Sequence, residues 1–223
     1  MFNTGSMGKS ERTRQTITDI AMRSFAERGY DATTIRLIAS EAGISVGSAY
    51  YYFPTKNHLV QELYVRVQQQ HRALAEPLLA ESADLPSRLR SVLLAGLDAI
   101  APYHETAPGF LAAAIAPTSA VNPLSHDSAA AREVVLGLFT ELVEGSTTTL
   151  PAYLRERLPE LLWFAYLGLA LYWVYDSSPG QSKSRRLVTR AVALFGTLLP
   201  LARLPLLRGP LTEALDIVRE ARA

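Results

Sequence analysis

Residues 33–59 read TTIRLIASEAGISVGSAYYYFPTKNHL, and this stretch decides how the first quarter of the chain folds. In its first half, apolar residues recur three and four positions apart behind two threonine hydroxyls, which predicts a short helix with a hydroxyl N-cap. Gly43 ends that helix, Ser45 caps a second one, and Pro54 closes it. Two short helices joined by a tight turn that contains glycine are typical of a helix-turn-helix.

The second helix of this pair turns an unusual set of side chains away from the core. Ala49 and Phe53 stand four positions apart and are expected to face inward. The residues left facing outward are Val46, Gly47, Ser48, Tyr50 and Tyr51. Exposed aromatics either cap a small helical core or bind nucleic acid, where hydroxyls bond phosphate oxygens and base edges while flat rings lie along the sugar backbone. The second helix of a helix-turn-helix enters the major groove, which favours the nucleic-acid interpretation.

The segment closely resembles the DNA-binding segment of the tetracycline-repressor (TetR) family of bacterial transcription regulators. The family pattern is Thr, Ile-Ala, Ala-Gly, Ser-x-Gly, Tyr-x-Tyr-Phe and Lys-x-x-Leu. This chain supplies it with Thr34, Ile38, Ala39, Ala42, Gly43, Ser45, Gly47, Tyr50, Tyr52, Phe53, Lys56 and Leu59. Two positions depart from it, because Val46 stands where members often carry a lysine or another polar residue, and Tyr51 stands where histidine is frequent. The resemblance covers roughly residues 12–64.

The resemblance implies which residues contact DNA, and their chemistry agrees with it. Thr34 can satisfy free amides at its helix start and donate to phosphate. Arg36 can hold a guanine edge through its guanidinium, although a solvated surface arginine is the other interpretation. Lys56 lies in the first turn of the fourth helix, where the helix N-terminus also favours a phosphate. The expected DNA contacts are Thr34, Arg36, Ser45, Val46, Gly47, Ser48, Tyr50, Tyr51, Tyr52 and Lys56.

The rest of the chain also reads as helices, because no segment keeps the two-residue alternation of a strand. Apolar stripes between Pro and Gly breaks predict an all-α protein with helices at residues 11–28, 34–42, 45–53, 55–76, 86–101, 105–116, 128–144, 151–175, 183–199 and 210–222. The first is expected to stop at Gly29 and the fourth before Pro77. We therefore expect a helix-turn-helix DNA-binding domain of three helices at residues 9–56, joined through the long fourth helix to a helical ligand-binding and dimerisation domain at residues 57–223.

Composition excludes several classes of protein. The chain has no cysteine, which removes disulfides, thiolate catalysis and cysteine-ligated zinc and fits a cytoplasmic setting. Its polar start lacks the pattern of a secretory signal. The uncharged run at residues 161–175 is shorter than the about 20 residues that span a membrane, so we expect a buried helix and no membrane partner. Nine Lys or Arg against six Asp or Glu up to Arg72 give a net +3, too mild an excess to indicate nucleic acid by itself.

The last two thirds of the chain hold many aromatics, which either form the core or line a ligand pocket. As pocket candidates for a small hydrophobic effector we name Tyr103, Phe110, Phe139, Trp163 and Tyr166. The helix at residues 151–175 is apolar on two faces, so one face can pack inside its subunit and the other against a partner. The family resemblance implies a homodimer whose seam is formed by this helix and the helix at residues 183–199. The expected seam residues are Leu161, Ala165, Gly168, Tyr172, Leu187, Ala191, Leu194 and Leu198.

An enzyme is not expected. The four histidines lie in no metal-spacing motif, and no Gly-rich phosphate loop, nucleophile elbow or carboxylate pair appears. We predict no cofactor and no metal site. The predicted function is that of a repressor that binds a palindromic operator on double-stranded DNA as a homodimer and is released by a small hydrophobic molecule. The alternative is a helical small-molecule or lipid carrier without DNA binding, which leaves residues 33–59 unexplained.

Overall fold

The computed structural model describes residues 8–115 and 119–204, together with residues 209, 212, 213 and 216. Within these residues the chain forms nine α-helices and no β-strand, so the all-α prediction is confirmed. The helices are α1 Lys9–Ala32, α2 Ile35–Glu41, α3 Val46–Tyr52, α4 Lys56–Leu79, α5 Leu85–Ile100, α6 Ala107–Ile115, α7 Ala129–Glu144, α8 Ala152–Val174 and α9 Ser182–Leu198. The helix predicted at residues 210–222 falls almost wholly outside the described residues.

The described residues divide into two compact units. The first contains α1, α2, α3, the start of α4 up to Tyr64, and the described part of Pro102–Ser128, which includes α6. The second contains α4 from Val65 onward, α5, and the helices from α7 to α9. Helix α6 therefore belongs with the N-terminal helices, although it lies far along the chain.

Apolar side chains of α1 and α2 form the core of the first unit. Ile17, Phe25 and Ile38 are fully buried, as their three- and four-residue spacings predict. Helix α6 packs on α1, and the Phe110 ring meets the Phe25 ring edge-on at a centroid distance of 5.2 Å. Burial of an apolar side chain of this size contributes about 1.5–3 kcal/mol, so these contacts tie α6 firmly to the N-terminal helices.

The end of α1 differs from the prediction. Gly29 has a positive φ of 77°, which suits a helix stop, yet the helix resumes and ends at Ala32. The Thr33 hydroxyl donates to the Gly29 carbonyl oxygen at 2.8 Å and pairs with the Ser24 hydroxyl at 3.0 Å. These buried hydrogen bonds hold the extra turn, so the glycine kinks the helix without ending it.

In the second unit, a buried arginine on α5 joins the ends of two other helices. Arg88 donates from Nη1 to the carbonyl oxygens of Leu79 and Ser82, at the end of α4. Its Nε and Nη2 donate to the carbonyl oxygens of Leu142 and Glu141, in the last turn of α7. The last carbonyls of a helix lack partners and carry partial negative charge, so one guanidinium satisfies both helix ends.

The prediction that α4 ends before Pro77 is wrong, because the helix continues to Leu79. The proline ring removes one backbone donor from the last turns of the helix. The carbonyls beyond it are held by Arg88, a tertiary contact that the local pattern around a proline cannot reveal. The helices from α5 to α9 otherwise begin and end within two residues of the predicted positions. None of the described helices is long and apolar enough to cross a membrane.

Candidate nucleic-acid interface

Hydrogen bonds at the starts of α2 and α3 build the helix-turn-helix. The Thr34 hydroxyl accepts from the Leu37 amide at 3.2 Å, and the Ser45 hydroxyl accepts from the Ser48 amide at 3.0 Å. Both caps agree with the sequence-based prediction. Between the helices Gly43 adopts a φ of 63°, a left-handed conformation that costs glycine little, so the turn can be tight.

The buried side of α3 anchors this helix in the first unit. Ala49 and Phe53 are 0% and 1% exposed, as predicted. Arg14 of α1 places its guanidinium 4.6 Å from the centroid of the Phe53 ring and donates to the Glu62 carboxylate of α4 at 2.8 Å. The inner side of α3 is therefore held by α1 and α4, which leaves its outer side for contacts with other molecules.

The outer side of α3 is exposed over its whole length. Tyr51 is 81% exposed and Tyr50 is 45% exposed, while Val46 is 39% exposed. Gly47 and Ser48 are exposed as well. The five residues predicted to face outward therefore do so, and they form one surface of hydroxyls, aromatic rings and bare backbone.

Tyr52 connects this surface to the start of α1. Its hydroxyl hydrogen-bonds the Ser10 hydroxyl at 3.2 Å, and its ring meets the Tyr51 ring edge-on at 5.3 Å. A groove of about 470 Å³ is lined by Gly8, Ser10, Glu11, Arg14, Tyr51 and Tyr52. The residues of α1 in this groove were missed from the sequence, because only the packing of α1 against the end of α3 brings them to the exposed face.

Arg36 is an exposed arginine on α2, the first helix of the helix-turn-helix. It is exposed and forms no ion pair or hydrogen bond within the described residues. By contrast, Arg28 and Arg23 bind the Glu41 carboxylate at 2.6 and 3.2 Å, and their hydrogen bonds hold the pKa of that carboxyl below its usual value. Arg36 can therefore bind an external acceptor without breaking an internal ion pair.

Lys56 already makes internal contacts. Its Nζ donates to the Tyr30 carbonyl oxygen at 2.8 Å and lies 3.9 Å from the centroid of the Tyr30 ring. Partial burial lowers the pKa of Lys56, an effect that Asp31 opposes. An ammonium group has three donors, so two remain for a phosphate after the bond to Tyr30.

The five pocket candidates are distributed over both units. Tyr103 and Phe110 belong to the first unit, where Phe110 packs on α1. Phe139, Trp163 and Tyr166 are buried in the second unit. The rings of Phe139 and Tyr166 lie 6.2 Å apart, so these two residues belong to one cluster of the second unit.

Seven of the eight seam candidates on α8 and α9 are exposed, and the eighth, Leu161, is half-buried. The most exposed are Leu194 at 59%, Leu198 at 49%, Tyr172 at 43% and Leu187 at 40%. The opposite face of α8 is buried, as Trp163 and Trp173 show. Both stripes extend one step further than predicted, to the exposed Tyr175 and Leu201, and the same three- and four-residue spacing could have identified them.

Two family models match the chain. Residues 17–63 match the model described as bacterial regulatory proteins of the tetR family, and residues 88–220 match the Tetracyclin repressor-like C-terminal domain. The first match covers the helix-turn-helix, and the second covers more than half of the chain. Both describe transcription regulators rather than enzymes, and within the described residues no cluster of three or more His, Asp or Glu could hold a metal ion.

Curated relatives resemble less than half of the chain. The transcriptional repressor KstR2 of Mycobacterium tuberculosis is 34% identical over 97 residues, which cover 44% of this chain and 48% of that protein. The probable acrEF/envCD operon repressor of Escherichia coli is 32% identical over 91 residues, which cover 40% and 41%. The chain therefore spans less than half the length of the curated relatives it matches.

Solved structures share the fold over most of the chain. A TetR-family regulator from Streptomyces coelicolor has a TM-score of 0.55 at 24% identity, covering 96% of this chain and 100% of that one. FadR of Bacillus subtilis, solved in complex with stearoyl-CoA, has a TM-score of 0.60 at 18% identity, covering 81% and 96%. At these identities the likeness shows the common fold.

Proposed function

Because this chain belongs to the tetracycline-repressor family of bacterial transcriptional regulators, we propose that it is a ligand-responsive repressor that binds a palindromic operator as a homodimer. The observation that carries the proposal is the exposed outer face of α3 on a capped helix-turn-helix. We assign DNA binding to residues 9–56, and ligand binding and dimerisation to residues 57–223. An operator-binding protein works where the chromosome is, so we place it in the cytoplasm.

The DNA-binding role follows from the chemistry of the interface. Tyr50, Tyr51 and the serines offer hydroxyls to phosphates and base edges, and Gly47 lets the α3 backbone approach the groove. Arg36 reads a guanine edge, whereas Lys56 binds a phosphate through the donors that Tyr30 leaves unused. Thr34, Ser45, Val46, Ser48 and Tyr52 complete the proposed contact surface.

The dimeric state is supported by the uncovered apolar stripes on α8 and α9. Exposed leucine and tyrosine side chains lie at three- and four-residue spacing on these two helices, which contact each other, and a second copy of the chain can bury them. A two-fold symmetric dimer presents two copies of α3 and therefore suits a palindrome with half-sites about 34–36 Å apart.

The effector is proposed to be a small molecule with a large apolar part. The second unit buries aromatic side chains such as Trp163 and Phe139, and FadR of Bacillus subtilis, which shares the fold, was solved with stearoyl-CoA. Tyr103 and Phe110, in the first unit, stay candidates from the sequence alone. Ligand binding in one unit can regulate DNA binding in the other only if the two units are energetically coupled.

The test compares two single substitutions on the same selected operator. After a duplex is selected from random sequences, Arg36→Ala should cost about 1–3 kcal/mol on that operator and far less on unrelated duplexes, because base contacts carry the specificity. Lys56→Ala should weaken binding to all duplexes and lower the slope of log affinity against log salt by about one, because it removes a phosphate contact. Lys183→Ala, at the exposed start of α9, is the matched control and should change neither quantity.

One result would contradict the proposed function, and another would contradict only the role of Arg36. Failure of the chain to select any duplex would favour the carrier function, in which the helices hold a small molecule and residues 33–59 have no DNA to read. If Arg36→Ala leaves the ratio of specific to non-specific affinity unchanged, the base-reading role of this residue is wrong while the regulator itself stands.

A further inference from the structure

A polar cluster is buried among the apolar residues of the second unit. His71 of α4 is 0% exposed and Tyr166 of α8 is 3% exposed, and their ring centroids lie 5.0 Å apart. The Tyr166 Oη is completely enclosed and makes no hydrogen bond of good geometry within the described residues, although the Gln68 amide lies near enough to lower its pKa. A buried unsatisfied hydroxyl costs about 1–3 kcal/mol, so its retention in a core requires an explanation.

His71 forms its one well-defined side-chain hydrogen bond with the backbone of α5. Its Nε2 lies 2.8 Å from the Val92 carbonyl oxygen, and because a carbonyl only accepts, Nε2 carries the proton. Nδ1 is then an acceptor, and it faces Gln68 Oε1, which is also an acceptor, at 3.4 Å. As the amide is placed, Gln68 therefore satisfies neither His71 Nδ1 nor, by hydrogen-bond geometry, Tyr166 Oη.

Gly96 fixes the position of the Tyr166 ring. A Cβ at residue 96 would lie 2.6 Å from Tyr166 Cε2 and 3.0 Å from His71 Cε1, so both rings occupy the space that a side chain on α5 would fill. The Phe139 ring packs against Tyr166 at 6.2 Å. With its ring held by α5 and α7, the hydroxyl has a fixed position from which it can select a ligand group.

The cluster is uncharged around neutral pH. Burial lowers the pKa of His71 to about 4, and the bond to Val92 only partly opposes this. Burial also raises the pKa of Tyr166 to about 12, with Gln68 acting in the opposite direction. A carboxylate brought to this cluster would lose its hydration without meeting a positive charge, whereas a neutral carbonyl or hydroxyl would gain a hydrogen bond.

We propose that Tyr166 Oη is the anchor for an uncharged carbonyl or hydroxyl group of the effector. This assignment rests on the proposed function, since it concerns the ligand that the second unit binds. The effector is then an apolar ketone, ester or alcohol, and a free carboxylic acid is excluded by the neutral lining of the site. In the competing arrangement, which we call the closed relay, the Tyr166 hydroxyl forms a hydrogen bond with the Gln68 amide. No ligand is then needed to satisfy the hydroxyl.

The first arm of the experiment asks whether the hydroxyl is satisfied without a ligand. Tyr166→Phe removes only the hydroxyl, and the urea midpoint of the ligand-free protein should stay the same or rise. The matched control is Tyr153→Phe in the same unit, whose hydroxyl donates to the Ala202 carbonyl oxygen at 2.8 Å. That control should lower the midpoint, and an equal fall for Tyr166→Phe would establish the closed relay and overturn the proposal.

The second arm titrates two probe series by calorimetry, one built on 4-phenylcyclohexanone and one on 2-decanone, each with its alcohol and its carboxylate. Within a series the ketone and the alcohol should bind at least about tenfold more tightly than the carboxylate, and Tyr166→Phe should remove about tenfold of their affinity. Equal binding of the carboxylate, an unchanged affinity in Tyr166→Phe, or no binding by either series would overturn the proposal.

Measurements of operator binding distinguish a failure of the Tyr166 anchor from a failure of the proposed ligand-responsive function. If the ketones bind as expected and lose affinity in Tyr166→Phe, yet leave operator affinity unchanged, the ligand site stands and the ligand-responsive function fails. If a molecule that co-purifies with the protein releases the operator equally well from the native chain and from Tyr166→Phe, the function stands and the anchor is wrong.

Discussion

At the scale of single residues, the stability of the second unit depends on Arg88. Its guanidinium is buried, and its hydrogen bonds end on four backbone carbonyls, at the end of α4, just beyond it at Ser82, and in the last turn of α7. Gly145 is part of the same arrangement, because a Cβ there would lie 2.5 Å from Arg88 Nη2. The arginine therefore replaces water at two helix ends that the core has covered.

Arg88→Ala should lower the free energy of unfolding by about 3–5 kcal/mol, because it leaves buried carbonyls unpaired and opens a cavity. Urea unfolding followed by circular dichroism measures the change. Arg88→Lys is informative because an ammonium group cannot reach two helix ends at once, so it should restore less than half of the loss. Arg90→Ala, at an exposed position of α5, should have little effect. Full stability of Arg88→Lys would show that charge alone matters, contrary to this account.

His71 makes the stability of the fold depend on pH. Its pKa falls from 6.5 in the unfolded chain to about 4 in the folded one, so the unfolded state binds the extra proton between these values. Above about pH 6.5 the histidine is neutral in both states, and its titration does not change the free energy of unfolding. As the pH falls from 6.5 toward 4, the free energy of unfolding decreases. A shift of this size corresponds to about 3 kcal/mol.

The prediction is that urea midpoints decrease from pH 7.5 to pH 5 and that His71→Gln reduces this decrease. Glutamine keeps a donor for the Val92 carbonyl but does not titrate, so the variant should be less stable at pH 7.5 and less sensitive to acid. His58→Gln, at an exposed position, is the control and should keep the native pH profile. Identical profiles for the native chain and His71→Gln would contradict the assignment.

Residues whose role is local could be predicted from the sequence, whereas residues that act through tertiary contacts could not. The caps Thr34 and Ser45 and the inward-facing Ala49 were predicted because each depends on neighbours three or four positions away. The bonds of Arg88 join segments more than fifty positions apart, and no local spacing reveals them. The same is true of the bond from Lys56 to Tyr30, which leaves a predicted phosphate contact with a second, internal role.

At the scale of helices, periodicity located the nine described α-helices because each long helix has one buried stripe. Prediction of helix ends was less successful at Gly29 in α1, where the Thr33 hydroxyl holds a further turn, and at Pro77 in α4, where Arg88 of another helix holds the carbonyls beyond the proline. On α8 and α9, periodicity also indicated a second stripe that the chain's own core leaves exposed. Such a stripe has a stabilising role only if another molecule covers it.

Leu194→Glu should convert the proposed dimer into a monomer at micromolar concentration, because it places a charge in the middle of the α9 stripe, where Leu194 is 59% exposed. Analytical ultracentrifugation measures the mass. Thr189→Glu adds the same charge at an exposed position of α9 outside the stripe and should leave the mass unchanged. A native chain that sediments as a stable monomer would rule out the dimer, and a dimeric Leu194→Glu variant would place its seam elsewhere.

At the scale of the whole molecule, chain connectivity suggests two routes between ligand and DNA. Helix α4 contributes residues to both units. The segment from α6 to residue 128 belongs to the first unit, yet it is joined at its two ends to α5 and α7 of the second. Gln61 donates to the Ala120 carbonyl oxygen and to the Ser128 hydroxyl, so this segment is bonded to the start of α4.

We therefore expect Gln61→Ala to weaken the coupling between effector and operator. In the native chain, the effector should reduce operator affinity by about 5- to 150-fold, which corresponds to a coupling of about 1–3 kcal/mol. In Gln61→Ala, effector affinity and operator affinity measured separately should stay near native values while the coupling factor falls several-fold. The readout is operator binding by fluorescence anisotropy, with and without a saturating concentration of the co-purifying ligand or the best binding ketone.

Gln70→Ala is the matched control, because it removes the same side chain from an exposed position of α4. Equal coupling factors in the two variants would exclude the segment after α6 as a route and leave α4 itself. Reciprocity provides an independent check, since a ligand that lowers operator affinity by a given factor must bind the operator complex more weakly by the same factor. A ligand that binds free and operator-bound protein equally well carries no coupling, and it would leave this chain a DNA-binding protein whose second unit only dimerises.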